Sequence, residues 1–108
     1  MLLLRRLTMY VVLWQFRPLR GREREFERAY GRSGEWIGLF QRGEGYLGTE
    51  LLQRCEDPRE YLALDRWTSG AAYDAFRARF SNEYRGLDRR LDKLTEEETL
   101  LGTFEALL

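Results

Sequence analysis

Asp65 stands in the run Tyr61-Leu62-Ala63-Leu64-Asp65-Arg66-Trp67. Strand alternation places it on one face with Tyr61, Ala63 and Trp67. A carboxyl among aromatic rings loses hydration, which raises its pKa and suits it to work as a base. The same carboxylate could instead pair with an Arg as a structural bridge. Tyr73 adds a phenol as a second catalytic candidate. Trp14, Trp36, Phe40, Trp67 and Phe76 offer pocket walls, and Tyr30 and Arg66 offer polar groups beside them. These residue types fit one reaction that needs little from a protein. An electron-rich phenol or quinol, once deprotonated, can pass an electron to dioxygen itself. The protein must supply a dry pocket, a base and a few donors for the anion. Each residue also has a packing reading, since Tyr73, Phe76 and Phe80 recur at helical spacing and the strand tryptophans suit a core.

Other chemistry is excluded by what the chain lacks. Its 108 residues include no His and one Cys, Cys55. Serine–histidine and cysteine–histidine hydrolysis are therefore out, and no His or Cys cluster exists for a metal. Neither a cofactor nor a metal is expected. Eighteen basic and eighteen acidic residues cancel, and 17 of the basic ones are Arg. No basic field draws nucleic acid or an anionic membrane. A lone Cys makes no internal disulfide, so Cys55 reads as a half-buried thiol at a strand end and the setting as cytoplasmic. Residues 1–16 are apolar but broken by Arg5 and Arg6, unlike a secretory signal, and too short to span a bilayer. Residues 1–8 read as an extension or a misassigned start, and 9–108 as one domain.

The elements that must position these residues follow from periodicity. Residues 9–17 read as a strand with Tyr10, Val12, Trp14 and Phe16 on one face and Met9, Val11 and Leu13 on the other; Pro18 ends it. Residues 21–31 read as a helix carrying Phe26, Ala29 and Tyr30 inward. The glycine-rich stretch 31–45 reads as a loop that holds a short helical turn with Trp36, Leu39 and Phe40, a possible lid. Residues 46–54 and 60–67 read as strands. Ser69 is the expected N-cap of a second helix, which bends before Tyr84, Leu87, Leu91 and Leu94. Glu96-Glu97-Glu98 reads as a solvated turn. Residues 99–106 read as the last strand, with Gly102 as a bulge. The order β-α-β-β-α-β is that of an α+β, ferredoxin-like antiparallel sheet with its helices on one face.

Such a sheet should be polar on its uncovered face. Met9, Val11, Leu13, Leu62 and Leu64 are not. A second copy of the chain, sheet against sheet, is the economical cover, and a covering loop is the competing one.

Residues 45–51, Gly-Tyr-Leu-Gly-Thr-Glu-Leu, and 65–76, Asp-Arg-Trp-Thr-Ser-Gly-Ala-Ala-Tyr-Asp-Ala-Phe, resemble strings of the antibiotic biosynthesis monooxygenase (ABM) family. So do Tyr30-Gly31 with Trp36 and Leu39-Phe40, then Leu87-Asp88, Leu94-Thr95 and Gly102-Thr103-Phe104. The resemblance covers roughly residues 9–106. It implies a dimeric α+β barrel with a pocket between sheet and helices in each subunit. The family includes cofactor-free monooxygenases of aromatic polyketides, quinol monooxygenases, haem-degrading enzymes and members without known activity. The haem-degrading branch uses a helix His and a strand Asn. Here no His exists, the one Asn is Asn82, and Trp14 takes the corresponding strand position. The resemblance therefore implies a cofactor-independent monooxygenase acting on a hydroxylated aromatic or quinol. The alternative is a non-catalytic dimeric module that binds a small ligand.

Overall fold

A computed structural model of the chain describes residues 8–107. Its elements are β1 (Thr8–Pro18), α1 (Glu23–Tyr30), α2 (Glu35–Phe40), β2 (Tyr46–Gln53), β3 (Tyr61–Trp67), α3 (Gly70–Arg79), α4 (Ser81–Leu91), a 3₁₀ turn (Asp92–Leu94) and β4 (Thr95–Leu107). The four strands form one antiparallel sheet in the order β2-β3-β1-β4. This is the ferredoxin-like α+β arrangement. The reading of residues 1–8 as an extension lies, for residues 1–7, outside the described residues, and Thr8 is already in the sheet, paired with Leu107.

The helices form for local reasons. α1 is charged except for Phe26, Ala29 and Tyr30, and Phe26 and Tyr30, one turn apart, are buried. Acidic Glu23 and Glu25 sit in its first turn, where the backbone dipole favours them. α3 starts where Ser69 caps it: the Ala72 N–H donates to Ser69 Oγ at 3.0 Å. Its expected bend falls at Phe80, which ends α3 and opens α4. α2 buries Trp36, Ile37, Leu39 and Phe40 within six residues.

One continuous layer of rings fills the space between sheet and helices. Phe16, Phe26 and Tyr30 pack with centroids 4.4–5.4 Å apart. Phe40, Trp67 and Phe76 form a second group at 4.9–6.0 Å. Trp67 is 0% exposed.

Three expectations are corrected. β4 begins at Thr95 and not at 99, so Glu96-Glu97-Glu98 is strand and not a solvated turn. The strand is longer because β1 offers partners as far as Pro18, paired with Thr95. Cys55 is exposed in the turn after β2 and not half-buried.

Two bulges decide which way side chains face. Between Tyr46 and Gly48 the β2–β3 register slips, leaving Leu47 as the extra residue. Between Leu13 and Trp14 the β1–β4 register slips likewise at Leu101. Gly48 and Gly102 follow these extra residues with φ of +140° and +149°, a backbone that side-chain-bearing residues avoid. Gly102 thus marks the bulge that its place in the strand pattern predicts.

Gly43 is where the ring layer leaves no room. A Cβ there would stand 2.7 Å from Phe76 Cδ1 and 3.1 Å from the Trp67 ring. Both rings are buried and cannot yield. Gly43→Ala is expected to destabilise the fold by about 1–3 kcal/mol in urea unfolding. An unchanged midpoint would show that the ring layer is looser than this packing implies.

Candidate functional site

Paired residues in neighbouring strands share a face of the sheet. Thr49 is paired with Asp65, and Asp65 with Val12. Trp14 is paired with Ala63 and Leu100, and Phe16 with Tyr61 and Glu98. Thr49, Ala63, Asp65, Trp14, Phe16 and Glu98 therefore all face the helices. Together with Tyr30, Trp36, Ile37, Phe40 and Tyr84 they line a cavity of about 30 Å³. All four strands contribute side chains to this slot between sheet and helices. Its volume admits only a water molecule or two. Beside it, along the edge of β2, runs an open groove of about 670 Å³ that shares Tyr30, Ile37 and Thr49 with the slot.

Asp65 is the buried acid of the slot, 6% exposed. Thr49 Oγ1 donates to its Oδ1 at 2.7 Å. Tyr46 OH lies 2.6 Å from the same Thr49 oxygen. A threonine hydroxyl has one proton, and Thr49 donates it to Asp65, so Tyr46 is the donor to Thr49. The Leu47 bulge makes this relay possible. Tyr46 and Thr49, three residues apart, would face opposite sides of a regular strand. The alternative Arg bridge is not formed: among the described residues no salt bridge reaches Asp65. Burial pushes its carboxyl up to about 6, and the Thr49 bond restrains the rise.

The slot also holds unmet donors. Tyr30 OH and Trp36 Nε1 are buried without a hydrogen bond of ordinary geometry, although the indole N–H approaches the phenol oxygen. They stand near each other, with ring centroids 6.2 Å apart. Burial raises the Tyr30 phenol well above its usual range. A buried donor left unpaired costs about 1–3 kcal/mol, so two of them on one cavity mark a place shaped for an acceptor atom.

Among the residues singled out from the sequence, Trp14, Tyr30, Trp36, Phe40 and Asp65 meet at the slot. Four others lie elsewhere. Arg66 faces the opposite side of the sheet, paired with Glu50 at 2.6 Å. Trp67 and Phe76 belong to the ring layer, beyond Phe40. Tyr73 packs on Tyr10 and Trp67, and its hydroxyl accepts from Arg77 at 3.0 Å. Helical spacing groups Tyr73 with Phe76, but that shared stripe meets the sheet at the Tyr10–Trp67 end. Thr49, Ile37, Tyr84 and Glu98 are slot residues that sequence reasoning missed. Glu98 is an exposed residue that lines the slot with part of its side chain, and partial burial, then Asp88 and Asp92, pushes its carboxyl up to about 7.

The fold and this site define an α+β, ferredoxin-like domain with an aromatic slot between sheet and helices. A family model described as Antibiotic biosynthesis monooxygenase matches residues 9–83. The chain belongs to the antibiotic biosynthesis monooxygenase family. Solved structures with the same fold include a Bordetella bronchiseptica protein assigned to that family (TM-score 0.70, 20% identity, 91% of this chain and 94% of that one). A variant of SnoaB, a cofactor-independent oxygenase from Streptomyces nogalater, is similar at TM-score 0.66 and 19% identity, covering 93% of this chain and 90% of that one. A protein from Shewanella oneidensis is similar at TM-score 0.68 and 17% identity, covering 94% of each chain. No curated protein matches the chain.

The buried carboxyl carries a pH signature. Its pKa is about 6 in the fold against an ordinary 3.8. The native state therefore holds this proton where the unfolded chain has lost it. Stability falls as pH rises from about 4 to 6, and stays lower above that. Asp65→Asn keeps the shape and removes the charge. At pH 7–8 it should be more stable than the native chain by up to about 3 kcal/mol, with no difference below pH 4. A gap between the two proteins that does not change with pH in urea unfolding would refute the buried-charge account.

Proposed function

We propose that this chain is a cofactor-independent monooxygenase of a hydroxylated aromatic or quinol, with Asp65 as base. The observation that carries the reading is one slot holding a buried, cation-free carboxyl and two unpaired donors. Asp65 takes the proton of the substrate hydroxyl, and Tyr46 and Thr49 hold the carboxylate in place. The Tyr30 hydroxyl and the Trp36 N–H donate to the resulting oxyanion. The electron-rich anion then gives one electron to dioxygen, the radical pair joins as a ring-carbon peroxide anion, and protonated Asp65 returns its proton to make the hydroperoxide. Loss of water from that hydroperoxide leaves a carbonyl. Counted on the keto tautomer of the phenol, a ring CH₂ and O₂ thus become C=O and H₂O, with no external reductant. Trp14 and Phe40 flank the ring, and Tyr73, with Trp67 and Phe76 behind it, supports the wall from the far end of the layer. A ring needs more room than the slot has, so entry from the β2 groove moves Tyr30 and Ile37 aside. The slot's small volume favours the second reading, a non-catalytic module for a small ligand.

Oxygen uptake with a panel of quinols and anthrone-like phenols, without added cofactor, separates the two. Turnover is expected, and Asp65→Asn should lower kcat by about 10²–10⁴-fold. A correctly folded native protein with no uptake above buffer would reject the monooxygenase and leave the module.

The reading includes a homodimer in a cytoplasmic setting. Among the described residues no helix is long and apolar enough to cross a membrane. The sheet face away from the helices carries Val11, Leu13, Leu62 and Leu64, with Leu52 and Phe104 exposed on it. A second copy covers that face most economically. Light scattering after size exclusion at micromolar concentration should give twice the chain mass, shifting toward one chain in Phe104→Glu. A native monomer would defeat this part of the proposal.

A further inference from the structure

We infer that the slot selects uncharged hydroxylated aromatics over anionic ones, and that Glu98 is the residue that sets this selectivity. The inference rests on the reading above that the slot takes a hydroxylated ring. The ionisable side chains on its lining are Tyr30, Asp65, Tyr84 and Glu98. None is a cation. Among the described residues no salt bridge neutralises either carboxyl.

The surrounding charges reinforce the sign. Asp88 on α4 and Asp92 in the 3₁₀ turn add to the negative field at Glu98. Nearby guanidinium groups are engaged elsewhere. Arg17 is held by Asp57, and Arg59 by Glu96 and the Pro18 carbonyl. Arg77 lies behind the slot, 3.8 Å over the Tyr84 ring, and donates to Tyr73.

Register fixes where the two carboxyls stand. Asp65 is paired with Val12 and Glu98 with Phe16, four residues along β1 and on opposite sides of it. Their Cα atoms are thus about 16 Å apart, with Trp14 between. A ring seated on Trp14 has an acid toward each end. A carboxylated ring meets a like charge whichever way it enters, screened little at buried Asp65 and more at exposed Glu98. A neutral phenol meets only acceptors and donors. Asp65 is needed for the proton, so Glu98 is the acid whose charge acts on selection alone.

Isothermal titration calorimetry at pH 8 with 1-naphthol and 1-hydroxy-2-naphthoate tests this, because binding is read without turnover. The native protein should bind the naphthol at least about ten-fold more tightly than the carboxylate. Glu98→Gln should shrink that ratio by about three-fold or more, and Asp88→Asn should shrink it less. Equal native affinities, or a ratio unmoved in Glu98→Gln with a native-like thermal melt, would overturn the inference alone. Binding of neither compound would overturn it together with the hydroxylated-ring reading.

Discussion

The constraint on which this molecule turns is the burial of one carboxylate with no cation to meet it. Asp65 lies under the helices, and its help comes from a hydroxyl: Thr49 donates to it, and Tyr46 donates to Thr49. Hydroxyl dipoles compensate a buried charge less than a guanidinium would, which leaves the group easy to protonate. A guanidinium would have pinned the carboxylate in its charged form and closed off proton transfer. Arg66, next in sequence, is turned by the strand's alternation to the other face, where it pairs with Glu50. Strand geometry thus keeps the acid responsive.

The bulges do for faces what alternation cannot. In a regular strand Glu98 and Phe104 would lie on the same side. The extra residue at Leu101 lets β4 present Glu98 to the slot and Phe104 to the opposite face. The extra residue at Leu47 brings Tyr46 round to Thr49. One strand can thereby line a site at one end and offer an apolar surface at the other. A residue without positive φ at Gly48 or Gly102 would strain these turns.

The same bulges explain what the sequence made legible. Unbroken runs carried their own answer. β3 reads as a strict alternation, so Asp65, Ala63 and Tyr61 fell on the right face, and Ser69 capped α3 as its position required. The element order, and with it the fold, followed from such runs. Glu98 was hidden twice. It stands in a run of three glutamates that looks like a wet turn, and its face depends on pairing with Phe16 across the sheet. Thr49 had no visible partner until β2 and β3 were aligned. Tyr73 and Phe76 were misplaced for another reason: a helical stripe says that a residue points inward, not which end of the sheet it meets.

The division of labour among the rings then has a physical basis. Trp67, Phe76 and Phe26 are sealed in the packed layer and make it rigid, as close-packed interiors are. Trp36 and Tyr30 are also buried and, like Trp67 Nε1, keep polar atoms without partners, but theirs lie on the slot lining. The donors sit on α1 and α2, the elements joined by the glycine-rich segment, while the acid sits on the central sheet. A ligand oxygen entering between them would satisfy both donors at once, replacing two unmet groups with two hydrogen bonds. The hydrogen bonds gained would offset the cost of moving Tyr30 and Ile37 aside, so the unmet donors of the closed slot and its capacity to open for a matching ring are one property.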